Sequence, residues 1–350
     1  MTSLQKLLEA IAPPPGDVAG GAQAHLDSLT KPPGSLGRLE DLALRLAILR
    51  GGAPRLARPV IFTFAADHGV VAEGVSAYPQ AVTAQMVENF VRGGAAVNVL
   101  ARQAGARVVV ADFGVATPLP PAAAVARCAV GPGTANIARG PAMTREQAVS
   151  AVEAGARLAG QELAAGADLL GTGEMGIGNT TAASAITAAL TGAAEGAVTG
   201  RGTGVDDPTW RRKVDVVRRA LEVNRPDPRD GLDVLARVGG FEIAGLVGVI
   251  RAGAARATPV ALDGFISTAA ALVAVTLAPE ARHALFASHR STEPGHAVAL
   301  AHLGLTPYLD LEMRLGEGTG AALFIHLARA ATLVYTEMAT FKSAGVDGPH

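Results

Sequence analysis

The chain has 350 residues, of which 49% are apolar and only 4% aromatic, and its 30 basic and 31 acidic residues give a formal net charge of −1. This balance lacks the clustered basic excess that nucleic acids or anionic membrane surfaces require in a partner. The length suits one large domain or two medium ones, with a core built mostly from Ala, Val, Leu and Ile.

Cysteine usage and the apolar segments predict a cytoplasmic protein outside the membrane. The single cysteine, Cys128, can form no internal disulfide and belongs to no metal-type cysteine cluster, as expected in a reducing compartment. Apolar residues recur at helical spacing over 4–11, between polar ones, which predicts an amphipathic helix rather than a secretory signal. The longest apolar run, 264–278, is too short to span a bilayer.

Short apolar runs alternate with helical patterns along most of the chain. A Pro-rich turn first leads into a leucine-rich helix for which Ser35 is the expected N-cap. The predicted strands are 60–67, 107–115, 167–171, 258–264 and 284–288. The predicted helices between them include 81–104 with a break at Gly93-Gly94, 144–165 with a Thr144/Gln147 capping box, and 207–224 capped by Asp206 or Asp207. This alternation predicts an α/β fold with a mostly parallel sheet and helices on both faces.

Polar residues cluster just beyond the carboxyl ends of these predicted strands. Ligands bind at that edge in open α/β sheets, so the cluster predicts a ligand site there. The residues are Asp67-His68, Asp112, Gly171 to Glu174, Asp263-Gly264 and Ser288-His289.

The segment GTGEMGIGNTTAA (171–183) allows three interpretations. Its G-x-G-x-x-G spacing is that of a dinucleotide fingerprint, but the acid at the expected distance, Glu195, lies in a turn-like segment instead of at a strand end. Alternatively, its glycines and Asn179-Thr180-Thr181 form a phosphate loop at a helix N-terminus, together with the glycine cluster 200–204 and Lys213. Finally, the glycines can serve turns alone and the Asn and Thr residues caps.

The carboxylate of Glu317 stands in an unusual glycine setting, RLGEGTG, directly before a long apolar helix. Such flexibility around one acid suggests that a ligand approaches it closely, although an acid at a helix start also complements the helix dipole. Metal and nucleophile motifs are missing: the sequence has no H-E-x-x-H and no G-x-S-x-G, and His289, His296 and His302 lack metal-pair spacing.

Seven blocks in chain order carry a resemblance to a known family. The chain resembles the nicotinate-nucleotide–dimethylbenzimidazole phosphoribosyltransferases of cobalamin biosynthesis. The blocks are LTKPPGSLGRLE (29–40), AADHGV (65–70), GEMGIGNTTAA (173–183), KVDVVRRA (213–220), NRPDPRDGLDVLARVGGFEIAGLVGV (224–249), PVALDGF (259–265) and YLDLEMRLGEGTGAAL (308–323).

This resemblance implies an activity and an architecture. 5,6-Dimethylbenzimidazole attacks the anomeric carbon of nicotinate mononucleotide with inversion, nicotinate leaves, and α-ribazole 5′-phosphate forms, with Glu317 as general base and with neither metal nor cofactor. It further implies a cytoplasmic homodimer, with a large Rossmann-like domain over 55–310 and a small helical subdomain from 1–54 and 311–350. A non-catalytic mononucleotide-binding protein is the alternative.

The resemblance also implies two groups of binding residues. The residues expected around the base are Glu174, Met175, Leu315, Tyr78, Gln85 and Met86. Those expected around the phosphate and ribose are Gly176, Ile177, Gly178, Asn179, Thr180, Gly202, Thr203, Gly204, Lys213, Asp263, Gly264 and Ser291. Because some relatives carry serine in place of Tyr78, this position bears on which base is preferred.

Overall fold

The computed structural model of the protein describes residues 11–13, 16–120, 124–202 and 204–348. The helix predicted over 4–11 falls almost entirely outside these residues, and so does the predicted phosphate-site residue Thr203. Along the parts of the chain that are described, none of the helices is both long and apolar enough to cross a membrane. No three His, Cys, Asp or Glu side chains within those ranges are grouped so that they could hold a metal ion.

The centre of the molecule is a parallel sheet of six strands in the described ranges, with the order β3-β2-β1-β4-β5-β6. The strands are β1 (Pro59–Ala66), β2 (Arg107–Gly114), β3 (Ala126–Arg127), β4 (Leu169–Met175), β5 (Val260–Leu262) and β6 (Leu285–Ala287). The predicted parallel α/β fold is confirmed. The strand order reverses between β1 and β4, which is the point where such sheets open a crevice for ligands.

Helices surround the sheet, and the three helices predicted between the strands form, each with its expected cap or break. They are α1 (Gly16–Ser28), α2 (Arg38–Arg50), α3 (Val82–Arg92), α4 (Ala96–Gln103), α5 (Arg145–Ala164), α6 (Asn179–Thr191), α7 (Glu195–Val198), α8 (Asp207–Asn224), α9 (Gly231–Val238), α10 (Phe241–Ala255), α11 (Phe265–Leu277), α12 (Pro294–Leu303), α13 (Thr319–Glu337) and α14 (Phe341–Ala344), with 3₁₀ turns at Gly69–Glu73 and Pro279–Ala284. Thr144 accepts from the Gln147 N–H at 3.2 Å, Asp206 caps α8, and Gly93 separates α3 from α4.

Strand β1 shows why both faces of the sheet are apolar. Its side chains alternate between the faces, so that Phe62 and Phe64 enter one core while Ile61 and Ala65 enter the other. Helices α5, α10 and α11 cover the first face, and α2, α4 and α13 cover the second. The terminal helices α1, α2 and α13 therefore share a core with the sheet itself, and their assignment to a separate subdomain stays a prediction.

Three local predictions were wrong. Gly171 to Glu174 were expected at the end of the predicted strand 167–171 and just beyond it, yet all four pair with β1 inside β4, because these glycines serve close packing rather than a turn. Asp112 lies within β2 rather than beyond it. Ser35 does not cap α2, since that helix begins at Arg38 and the preceding turn is held by Glu40, whose carboxylate accepts from the N–H of Leu36 at 2.8 Å. Strand β3, only 2 residues long, is too short to give a sequence pattern.

Candidate active site

A cleft of about 650 Å³ opens at the carboxyl edge of the sheet. Its walls come from the segments that follow β1, β4, β5 and β6, and from the turn that precedes α13. This is the sheet edge where the polar residues predicted a ligand site. The predicted site residues that line it are Tyr78, Met86, Glu174, Met175, Gly176, Ile177, Gly178, Asn179, Thr180, Gly202, Gly264, Ser291, Leu315 and Glu317.

Glu317 lies on this cleft in a backbone conformation that residues other than glycine rarely adopt. Its φ is 64°, between Gly316 at 86° and Gly318 at 104°. A non-glycine residue in this region is strained by roughly 1–3 kcal/mol and persists only where its surroundings fix it. The Thr63 hydroxyl fixes it by donating to the Glu317 carbonyl at 2.8 Å, and the Val97 N–H donates to the Glu317 carboxylate at 3.2 Å.

Asp263 supports the same turn from below. Its carboxylate accepts from the backbone N–H groups of Gly318 at 3.0 Å and Gly320 at 2.6 Å, at the start of α13. Asp263 is only 1% exposed and does not line the cleft. The structure therefore gives Asp263 a role in holding Glu317, while its predicted contact with ribose stays a prediction.

Gly173 on β4 makes the close approach of this turn possible. A Cβ atom at Gly173 would lie 2.2 Å from the Glu317 carbonyl oxygen and 2.5 Å from the Gly318 nitrogen. A Cβ atom at Gly171, two residues earlier, would likewise lie 3.1 Å from the Cβ of Ala321 in α13. The G-x-G spacing thus lets the carboxylate-bearing turn and α13 pack on β4.

Several buried carboxylates lie at the cleft or directly beneath its lining. Burial, and then the charges of Glu242 and Asp263, raise the pKa of Glu174 to about 8, although Asn179 donates a hydrogen bond to it. Burial raises the pKa of Asp263 to about 7, against the backbone N–H groups that it accepts. Burial also raises the pKa of Glu317, opposed by the Val97 N–H. At neutral pH this cluster therefore carries fewer charges than its composition suggests.

Three helices direct their N-termini toward this cleft. The residues immediately before α6, α11 and α13 are Gly178, Gly264 and Gly318, and the first two line the cleft beside Glu317. Free backbone N–H groups and the helix dipoles make such ends favourable for negative charge. The arrangement suits an anionic substrate group as well as the local carboxylates.

Part of the cleft lining is apolar. Met86 and Met175 are half-buried there, and Tyr78 and Leu315 are exposed at its mouth. A flat aromatic base fits such a surface. The predicted base-binding residue Gln85 points elsewhere: it is exposed on α3 and is not part of the cleft lining.

Lys213 is buried beneath the end of the cleft that Thr180 and Gly202 line. It is 1% exposed, and its ammonium donates to the Thr180 hydroxyl at 2.6 Å. Burial lowers its pKa to about 8. Gly202 and Ser291 line the cleft above it, while Gly204 is exposed outside the lining. This end has the donors that a phosphate requires.

Three further residues of the site, Glu242, Glu293 and Arg314, were not predicted from the sequence, and a fourth, His68, was predicted only to lie at the ligand edge of the sheet. The His68 imidazole pairs with the Glu242 carboxylate at 2.6 Å, behind Glu174, although the two are far apart in the chain. Glu293 lines the phosphate end, where its carboxylate accepts from the Gly202 N–H at 2.8 Å. Arg314 also lines the cleft and donates to the Gly202 carbonyl at 2.9 Å. These residues are distant in the sequence, and only the tertiary structure brings them together.

Comparison with known proteins agrees with this geometry. A family profile described as phosphoribosyltransferase matches residues 11–346. The chain belongs to this family. A protein of Desulforamulus reducens is 56% identical over 348 residues, and one of Roseiflexus sp. is 55% identical over 349, each match covering 99% of both chains. Both are named nicotinate-nucleotide–dimethylbenzimidazole phosphoribosyltransferase. The crystal structure of CobT from Thermus thermophilus matches with a TM-score of 0.92 at 52% identity, covering 95% of this chain and 100% of that one.

Glu174 makes the stability of this phosphoribosyltransferase depend on pH. Its folded-state pKa of about 8 lies above the ordinary value of 4.5. The folded protein therefore holds the Glu174 proton more tightly than the unfolded chain does. This contribution to the free energy of unfolding is fully present below pH 4.5 and is lost as pH rises to 8. Glu174→Gln cannot ionise and avoids this loss. Between pH 5 and pH 9 the wild type should therefore lose roughly 2–4 kcal/mol more unfolding free energy than the variant.

Urea unfolding of both proteins at pH 5 and pH 9 measures this difference. Glu222→Gln, which changes an exposed acid of α8, is the matched control and should follow the wild type. Parallel pH profiles for wild type and Glu174→Gln would contradict the raised pKa.

Proposed function

We propose that the chain transfers the phosphoribosyl group of nicotinate mononucleotide to 5,6-dimethylbenzimidazole, giving α-ribazole 5′-phosphate and nicotinate. The observation that carries this proposal is the strained Glu317 on a cleft whose lining combines apolar side chains with phosphate donors. The names of the relatives support the choice of substrates.

A carboxylate is sufficient for this chemistry. The bond from the anomeric carbon to the nicotinate nitrogen breaks and leaves a neutral pyridine ring, so the leaving group needs no proton. One benzimidazole nitrogen forms the new bond with inversion, and its second N–H becomes acidic as positive charge builds. Glu317 takes that proton, and burial makes it a stronger base than an exposed carboxylate.

The remaining predicted residues orient the two substrates. Lys213 and the backbone around Gly202 hold the phosphate, whose binding energy fixes the ribose relative to Glu317. Tyr78, Met86 and the neighbouring apolar residues hold the base. While it is ionised, Glu317 also favours cationic character at the anomeric carbon. A homodimeric, cytoplasmic enzyme with a separate helical subdomain belongs to the same proposal.

Nicotinate release tests the proposal directly. The protein is mixed with nicotinate mononucleotide and 5,6-dimethylbenzimidazole, and nicotinate is separated by chromatography. Release above a control without enzyme is expected, and its absence would refute the activity. Parallel reactions with other benzimidazoles and with adenine identify the preferred base.

A non-catalytic mononucleotide-binding protein is the second candidate, since the donors at the phosphate end of the cleft could bind a nucleotide without any reaction taking place. It would bind the nucleotide in calorimetry and release no nicotinate. Glu317 argues against it, because binding alone does not require a carboxylate held in a strained conformation.

A further inference from the structure

The phosphate end of the cleft contains an anion of its own. Glu293, immediately before α12, is only 6% exposed and lines the cleft beside Gly202 and Ser291. One carboxylate oxygen accepts from the Gly202 N–H at 2.8 Å, and the other is buried with no hydrogen-bond partner among the described residues. A buried carboxylate oxygen without a partner is costly, so this atom is poised to bind a donor.

The glycine loop is shaped around this carboxylate. A Cβ atom at Gly200 would lie 2.1 Å from the second oxygen of Glu293, so glycine at this position lets the carboxylate lie against the loop. The Gly202 backbone thereby sits between Glu293 and Lys213: a Cβ there would lie 3.0 Å from the Lys213 ammonium. The N–H expected to bind the substrate phosphate is thus already bound to an internal carboxylate.

Glu293 and Lys213 carry opposite charges at this end of the cleft. The negative charge of Glu293 favours protonated Lys213, against the effect of burial on the lysine. The other charged or titratable groups near this end are Arg201, Asp207, Arg211, His289, His296 and Arg314.

None of these groups supplies a free buried cation. Arg201 is paired with Asp207, and Arg314 donates to the Gly202 carbonyl. Arg211 is exposed on the wall of a neighbouring cleft. Burial lowers the pKa of His296 to about 3 and also lowers that of His289, so both imidazoles are neutral at pH 7. Among the buried groups a phosphate dianion would therefore meet one cation, Lys213, and one anion, Glu293, while the exposed Arg314 adds positive charge only at the rim.

We propose that the nucleotide phosphate binds as its monoanion and shares its remaining proton with the Glu293 carboxylate. Two acids that share one site cannot both ionise without a large penalty, so one proton stays between them. At pH values where the free nucleotide is a dianion, this proton comes from solvent and ends on the bridge between a phosphate oxygen and the unpartnered Glu293 oxygen. The inference rests on the proposed function, because it takes the phosphate to bind at Gly202 and Lys213.

Proton uptake has a defined effect on affinity. The second pKa of a phosphate monoester is about 6, so below that pH the substrate carries the required proton itself. Above it, affinity should fall by up to about tenfold per pH unit, or up to about 100-fold from pH 6 to pH 8. Lys213 titrates at about 8 and can weaken binding only near the end of that range.

The test is isothermal calorimetry of nicotinate mononucleotide binding to the full chain at pH 6, 7 and 8, in buffers of different ionisation enthalpy. The wild type should take up close to one proton at pH 7, where Lys213 is mostly protonated, and bind more weakly there than at pH 6. Glu293→Gln keeps an oxygen for the Gly202 N–H but cannot share a proton. Because the variant also loses the negative charge that favours protonated Lys213, it is compared with the wild type at pH 7, where it should take up clearly less and bind up to about tenfold more tightly. Glu222→Gln should behave as the wild type.

The outcomes separate this inference from the proposed function. Absence of nucleotide binding by the wild type would reject both. Nucleotide binding with equal proton uptake in wild type and Glu293→Gln would reject the shared proton alone. Should Glu293→Gln fail to fold, the wild type still decides: nicotinate riboside, which lacks the phosphate, should bind without uptake, and equal uptake for riboside and nucleotide would overturn the inference.

Discussion

Glu317→Gln should lower turnover by roughly two to four orders of magnitude while leaving the fold intact, because the amide cannot accept the benzimidazole proton. The side chain keeps its size, and its carbonyl oxygen can still accept from the Val97 N–H. Single-turnover measurements of nicotinate release, with both substrates saturating, isolate the chemical step from binding.

The pH profile provides an independent check on the same residue. Burial raises the pKa of Glu317 above its ordinary value of 4.5, so the ionised base should be lost as pH falls, at values above 4.5. Wild-type turnover should show this acidic limb, and the residual activity of Glu317→Gln should lack it. Glu337→Gln, an exposed change at the far end of α13, should keep wild-type turnover and pH profile. Near-normal turnover in Glu317→Gln would assign the base to another residue.

Sequence patterns predicted the sheet and its ligand edge because these depend on local periodicity. The apolar run of β1 and the capping box at Thr144 need no knowledge of distant residues. Glu317 was also recognisable, since its flanking glycines mark a backbone that side chains seldom adopt. Those features lie within a few positions of one another.

Other features depended on contacts across the fold. The pairing of His68 with Glu242, and of Glu293 with Gly202, joins segments that no periodicity relates. Gly173 was misjudged for the same reason: its sequence neighbours suggest a turn, whereas its absent side chain leaves space for a turn 144 positions away, the difference between 317 and 173. Short-range rules give a glycine's backbone freedom, and only tertiary structure shows which neighbour requires its small size.

Gly173→Ala should therefore lower both turnover and stability. The added carbon would lie 2.2 Å from the Glu317 carbonyl oxygen and 2.4 Å from its carbonyl carbon, and neither backbone atom belongs to a flexible side chain that could turn away. Either β4 or the Glu317 turn must move. We expect a loss of turnover of about 100-fold or more, since a misplacement near 1 Å can cost that much, with roughly 1–3 kcal/mol lost in unfolding free energy.

Gly160→Ala is the matched control for this experiment. Gly160 lies within α5, and a Cβ atom there would meet nothing within 4 Å. The same added methyl should leave turnover unchanged and stabilise the helix by roughly 0.5–1 kcal/mol. Thermal unfolding and nicotinate release, measured for both variants, distinguish a general effect of replacing glycine from a specific one. Unchanged turnover in Gly173→Ala would show that the Glu317 turn can move without loss of activity. The close packing of this turn on β4 would then have no part in positioning the Glu317 carboxylate.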